Sequence, residues 1–180
     1  TKLASIEGYA APELRDYFTE RAKGGAGLII IEGTCVHLSG KGYAYQLGIY
    51  NDDFIPSQKL LAAQVKSQGA RVLIQLHHAG KYADPRETGG KPMVPTAQGN
   101  NKDSYHEMSV AEIREIIAAF GDAAKRAETA GFDGVEIHGA HDYIVSQFLS
   151  PLSNKRTDAY GGSLENRIRF PLEIIQDIRS

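Results

Sequence analysis

Three short apolar runs, each preceded by an amphipathic helical pattern and none joined to the next by a hairpin turn, constrain this chain more than any other feature. Gly27–Glu32 (GLIIIE), Arg71–Leu76 (RVLIQL) and Phe132–His138 (FDGVEIH) read as strands. Ahead of the first, Pro12–Lys23 sets Leu14, Tyr17, Phe18 and Ala22 on one helical face, with Pro12 suited to the first turn. Ahead of the second, Pro56–Ser67 turns Leu60, Leu61 and Val65 inward. Ahead of the third, Ser109-Val-Ala-Glu112 is a capping box, and Ile113, Ile116, Ile117, Phe120, Ala124 and Ala127 share a face. Asp142–Leu149 reads as a short helix. Ser163-Leu-Glu caps a last one, whose regularity Pro171 limits. An order of α-β-α-β-α-β-α with helical connections predicts crossovers and a parallel sheet. GLIIIE, a continuous β-branched run, predicts a strand buried on both faces. The stretch His77–Met108, with Pro85, Pro92 and Pro95 and no periodicity, reads as a lid, a binding loop or a disordered segment.

The fold class is therefore α/β, either a doubly wound open sheet or part of a (β/α)8 barrel. No Gly-x-Gly-x-x-Gly follows any strand, which argues against a Rossmann dinucleotide site. A net charge of −2 over 180 residues gives no electrostatic pull toward nucleic acid or an anionic membrane. No apolar run approaches the roughly 20 residues that cross a bilayer, and no signal peptide is read, so a cytoplasmic setting is expected. The single cysteine, Cys35, rules out an internal disulfide framework and any site built from several thiolates. Just beyond a strand, with no dedicated base, it reads as a buried inert thiol.

In either parallel architecture, chemistry gathers at the C-terminal ends of strands. Three polar groups of residues stand there: Glu32-Gly33-Thr34, Gln75 through Gly80 (QLHHAG) and His138 through Tyr143 (HGAHDY). Two imidazoles three residues apart, His138 and His141, can both donate to one substrate oxygen, and Tyr143 carries a phenolic proton suited to a general acid. The same residues also read as loop side chains bonding the backbone, or as zinc ligands of a metal hydrolase. No carboxylate or thiolate at matching spacing completes a metal set, and Glu136 reads as packing or a lateral ion pair. Of the adjacent His77 and His78, at most one faces a site. Gln75 both donates and accepts, which suits the edge of a planar heterocycle or a bridge between strands. Gly33 permits close approach of a flat ligand, or simply a turn. Lys81, Arg86 and Lys91 read as solvated cations or as partners for an anionic substrate tail.

Ala130–Phe170 (AGFDGVEIHGAHDYIVSQFLSPLSNKRTDAYGGSLENRIRF) resembles the Old Yellow Enzyme family of flavin-dependent ene-reductases. Its motifs are His-x-x-His-x-Tyr, Gln-Phe-Leu-Ser-Pro and Asn-x-Arg-Thr-Asp-x-Tyr-Gly-Gly-Ser-x-Glu-Asn-Arg. QLHHAG and ERAKGGAGLIIIEGTCV (Glu20–Val36) are similar to the same family. GYAAPELRDYFTERAKGG and GKGY look closest to its 2-enoate and 2,4-dienoyl-CoA reductase branch. The resemblance implies a (β/α)8 barrel carrying FMN, an NADH or NADPH reductant, and transfer of hydride to an α,β-unsaturated carbonyl compound. By position it implies that His138 and His141 hold the substrate carbonyl, Tyr143 protonates the α-carbon, Gln75 bonds the pyrimidine side of the flavin and Gly33 lies against it. The histidine pair points toward enoates or enones. A tyrosine at the first histidine position would have pointed to the amine dehydrogenases of the superfamily.

Residues 1–180 are expected to be one fragment of a single FMN-binding barrel domain, holding three parallel strands with flanking helices. The first strand and the later ones lie outside it, as a barrel takes about 250 residues. An iron–sulfur cluster and FAD belong only to parts downstream. The alternative for the chain by itself is a truncated piece without flavin binding or turnover. Its exposed strand edges would favour association, or a homo-oligomer.

Overall fold

Each helix forms where its apolar face and end signals fall together. In the computed structural model, which describes residues 1–100 and 102–180, the elements in chain order are α1 (Pro12–Lys23), β1 (Leu28–Cys35), α2 (Ile55–Lys66), β2 (Arg71–His77), α3 (Pro85–Thr88), β3 (Met93–Val94), β4 (His106–Glu107), α4 (Val110–Thr129), β5 (Gly134–Ile137), α5 (Ile144–Leu149), α6 (Leu164–Arg167) and α7 (Arg169–Ile178). Backbone contacts sort these into two units. The first comprises Thr1–Val36, Tyr43–His77 and Asp122–Ile137, and the second His37–Gly42, His78–Gly121 and His138–Ser180. Among the described residues, no helix is long and apolar enough to cross a membrane.

In the first unit, β1, β2 and β5 make a parallel sheet in the order β1-β2-β5, with Ile31 opposite Ile74 and Leu76 opposite Ile137. The parallel pairing predicted from the helix–strand alternation is what forms. α1 packs on β1, α2 on β2, and the two helices on each other. Ile29, Ile31, Val72, Ile74 and Leu76 are buried, each contributing about 1.5–3 kcal/mol of hydrophobic stabilisation. Leu28 and Ile30, on the opposite face of β1, are 52% and 41% exposed. The reading of GLIIIE as buried on both faces is thus corrected, because the helices of this unit cover one face of the sheet only. Leu60 is corrected too: α2 turns Gln58, Leu61, Ala62 and Val65 inward and leaves Leu60 exposed. Cys35 is a buried thiol outside any disulfide, as expected.

β5 starts two residues later than the sequence predicts, because the Asp133 side chain stands where a ladder partner would. Its Oδ2 accepts the Val72 N–H at 2.9 Å, and its Oδ1 accepts from Arg71 at 2.9 Å and Lys66 at 3.1 Å. The Val72 N–H bond, followed by the Arg71 and Lys66 bonds, holds this carboxyl down to about 2.

In the second unit, the stretch read as aperiodic is built from short pieces. Asp84 caps α3 by accepting the Arg86 N–H at 2.9 Å, and β3 pairs with β4 in parallel. The Arg156 guanidinium, nearly buried, donates to the carbonyls of Pro95 at 2.8 Å and Met108 at 2.6 Å while pairing with Asp158. The capping box forms: Ser109 N–H donates to Glu112 Oε2 at 2.7 Å and Glu112 N–H returns to Ser109 Oγ at 3.2 Å, an arrangement whose cap is typically worth about 1 kcal/mol. Along α4, Ala123 rather than Ala124 completes the buried stripe. The last predicted helix is two, α6 and α7, broken at Ile168 ahead of Pro171, which lacks the N–H that would bond back across the junction.

Candidate active site

The sequence-derived site residues fall into two groups, one in each unit. In the first unit, Gln75 lies opposite Glu136 in the β2–β5 ladder, and its Nε2 donates to Glu136 Oε1 at 2.9 Å. Glu136 is therefore the hydrogen-bond acceptor that orients the Gln75 amide. Gly33 lies in the irregularity where the β1–β2 register shifts between Ile31 and Thr34. A Cβ there would stand 3.4 Å from both Gln75 Oε1 and His77 Cγ, covering the amide oxygen. Behind Gly33, the buried Gln46 amide donates to Gly33 C=O at 3.1 Å and lies 2.9 Å from His77 Nδ1. An amide nitrogen only donates, so His77 Nδ1 accepts and its ring proton resides on Nε2. A glycine surface beside an oriented carboxamide offers both a flat approach and an edge for pairing. It fits a planar heterocycle that presents N–H beside C=O, as an isoalloxazine does.

In the second unit, His138, His141 and Tyr143 come together on one loop. Ala140 N–H donates to His138 Nδ1 at 3.3 Å, so the His138 proton is on Nε2, which lies 3.3 Å from His141 Nδ1. His141 then carries its own proton on Nε2, leaving an outward donor on an exposed ring. The Tyr143 ring meets His138 edge-on, 4.8 Å between centroids at 89°, and stands 6.4 Å from His141. Tyr143 is the N-cap residue of α5 but makes no side-chain cap bond. Tyr82 packs edge-on against Tyr143 at 6.0 Å. His141 and the following Asp142 both adopt left-handed backbone, φ +54° and +57°, which non-glycine residues occupy at a cost of about 1–2 kcal/mol each.

Other expectations resolve as follows. His78 is buried, with its Nε2 3.1 Å from Ser39 Oγ and its Nδ1 accepting the Gly80 N–H, apart from the cluster's chemistry. Lys81 pairs with Asp142 and Arg86 with Asp84, while Lys91 is exposed. The Asp142 hydrogen bond raises Lys81 above the ordinary lysine value. Among the described residues, no group of three or more His, Cys, Asp or Glu side chains is arranged to hold a metal ion. Gln46, and Gln147 at the head of the Gln-Phe-Leu-Ser-Pro motif, were given no role from the sequence, although each is a carboxamide in an otherwise apolar stretch, which is itself a signal.

The model of the NADH:flavin oxidoreductase / NADH oxidase family matches residues 1–180. An NADH oxidase of Thermoanaerobacter brockii is 45% identical over 99% of this chain and 28% of its own length. An NADH:acrylate oxidoreductase of Vibrio harveyi is 40% identical over 96% of this chain and 17% of its own. The crystal structure of an Old Yellow Enzyme from Pichia sp. superposes with a TM-score of 0.92 at 32% identity, over 98% of this chain and 50% of that one. The chain thus spans half or less of each of these three proteins, and its parallel strands and flanking helices are those of a partial (β/α)8 barrel.

Proposed function

Because this chain belongs to the NADH:flavin oxidoreductase / NADH oxidase family, we propose that the protein carrying it is an NAD(P)H-dependent FMN oxidoreductase that reduces the C=C bond of α,β-unsaturated carbonyl compounds. The observation that carries this reading is the His138–His141–Tyr143 cluster, two ring N–H donors and a phenol in mutual contact on one loop. The acrylate substrate in the name of the Vibrio harveyi relative supports an unsaturated carbonyl as the substrate class.

In this reading the His138 Nε2–H turns from His141 Nδ1 to the substrate carbonyl oxygen, and the His141 Nε2–H joins it. Two preorganised donors stabilise the negative charge that develops on that oxygen and make the β-carbon electrophilic. Tyr143 gives its phenolic proton to the α-carbon and recovers one from water. Gln75, oriented by Glu136, would hold the pyrimidine side of the flavin, and Gly33 would admit its ring. The hydride would come from FMN held there, with NADH or NADPH as its reductant. The small-molecule substrate meets these groups in the cytoplasm, where the nicotinamide is available.

The test uses the natural protein and, in parallel, the 180-residue chain, each loaded with FMN and freed of excess dye. The natural protein is expected to keep a yellow flavin that NADH bleaches without oxygen and that an unsaturated ketone restores. A flavin that stays bleached on adding ketone would sink the ene-reductase reading. A colourless 180-residue chain beside a yellow natural protein would limit the function to the longer molecule.

A further inference from the structure

The loop that presents His141 is fastened by a group that the reaction itself does not use. Gln147, in α5, is 0% exposed, and its Nε2 donates to the Asp142 carbonyl at 2.5 Å. Its Oε1 accepts the Lys81 N–H at 3.3 Å. The Lys81 ammonium pairs with the Asp142 carboxylate, and the Tyr82 hydroxyl reaches the same carboxylate at 3.4 Å. Gly80 has φ +57°, and a Cβ there would stand 2.6 Å from both amide heteroatoms of Gln147, so a glycine is what lets the amide in. These bonds converge on the second of two consecutive left-handed residues, and the first of the two is His141.

Resting on the ene-reductase reading, we infer that Gln147 is the positioning residue for His141: its amide ties Asp142 C=O to Lys81 N–H and so holds the left-handed turn that aims the His141 ring, with the Lys81–Asp142 ion pair as the second tie. A neutral carboxamide is the side chain that donates to a carbonyl and accepts from an N–H at once. Leucine does neither. A glutamate does both only when protonated, and ionised it can accept but not donate.

The test compares Gln147→Leu and Gln147→Glu with wild type in the natural holoprotein, with activity on an unsaturated ketone counted per bound flavin. Gln147→Leu is expected to lower kcat/KM about 10²-fold, the order of loss that a misplacement near 1 Å brings. Gln147→Glu should match that loss near pH 8 and recover about ten-fold or more of it near pH 5, as burial keeps a carboxyl protonated well into that range. Among the described residues, the titratable groups on the elements packed around Gln147 include Lys81, Tyr82, Asp142 and Tyr143, Tyr105 in the same pocket lining, His78 bonded to the Gly80 N–H, and the His138–His141 pair earlier on the loop. Wild type has them all, so the ratio to wild type at each pH isolates the new carboxyl. The ring ¹⁵N resonances give a readout free of turnover: the His138–His141 contact should be lost in Gln147→Leu and return in Gln147→Glu on acidification. A wild-type kcat/KM in Gln147→Leu, or a Gln147→Glu profile parallel to that of Gln147→Leu at every pH, overturns the inference. Should neither variant fold, Lys81→Met removes the second tie alone. It is expected to raise KM for the ketone and disturb the same resonances, and no change in either would overturn the inference. A wild type that leaves ketones untouched would retire the reaction while the ring resonances still decided what Gln147 does.

Discussion

A phenol set edge-on to an imidazole, with neither ring fully buried, spends surface that an apolar side chain would fill better. Its return lies in the hydroxyl. Tyr143→Phe keeps the ring and its 4.8 Å contact with His138 and removes only that proton source. Reoxidation of reduced flavin by an unsaturated ketone should slow by about 10²–10⁴-fold, the usual worth of general acid catalysis, while reduction by NADH changes far less. Stopped-flow traces of the two half-reactions separate these. Equal slowing of both would remove Tyr143 from the proton-donor role. His138, His141 and Tyr143 were legible in the sequence because their spacing is short and they follow a recognisable strand directly. Gln147 was not, since its amide has meaning only through Lys81, 66 residues away. The same holds for Gln46 behind Gly33, a partner that no local pattern announces.

Helices and strands follow from periodicity, but their limits are set by side chains that periodicity ignores. Asp133 shows this at the start of β5, where a carboxylate joins Val72, Lys66 and Arg71 and so stitches α2, β2 and β5 together. Its folded-state value, about 2, lies below the ordinary 3.8, so the stability it contributes is complete above 3.8 and is lost as pH falls through about 2. Asp133→Asn should therefore lower the urea midpoint of the natural protein at neutral pH by the equivalent of about 1 kcal/mol. The gap to wild type should narrow as pH drops from 3.8 toward 2. A gap that stays constant across that window would mean the charge contributes nothing. The long stretch before α4 was unreadable for the converse reason: its order comes from distant donors such as Arg156, which bonds Pro95 and Met108 carbonyls.

The parallel class of the fold was readable from alternation alone, yet alternation does not say how many layers cover a sheet. In the first unit α1 and α2 cover one face, and Leu28 and Ile30 stand on the other, 52% and 41% exposed. A barrel fills its interior with such inward-pointing side chains from every strand, and the relatives that this chain matches are two to several times longer. Ile30→Lys should then act in opposite directions in two molecules. In the 180-residue chain it replaces exposed apolar surface by charge, so association measured by light scattering should fall and stability stay within about 0.5 kcal/mol. In the natural protein, with the remaining strands present, the same lysine would be forced into a packed apolar layer, at a cost of about 3 kcal/mol or more and with much less soluble protein. If both molecules respond alike, the open face of β1 is not the one that the longer chain closes over, and the barrel must be completed elsewhere.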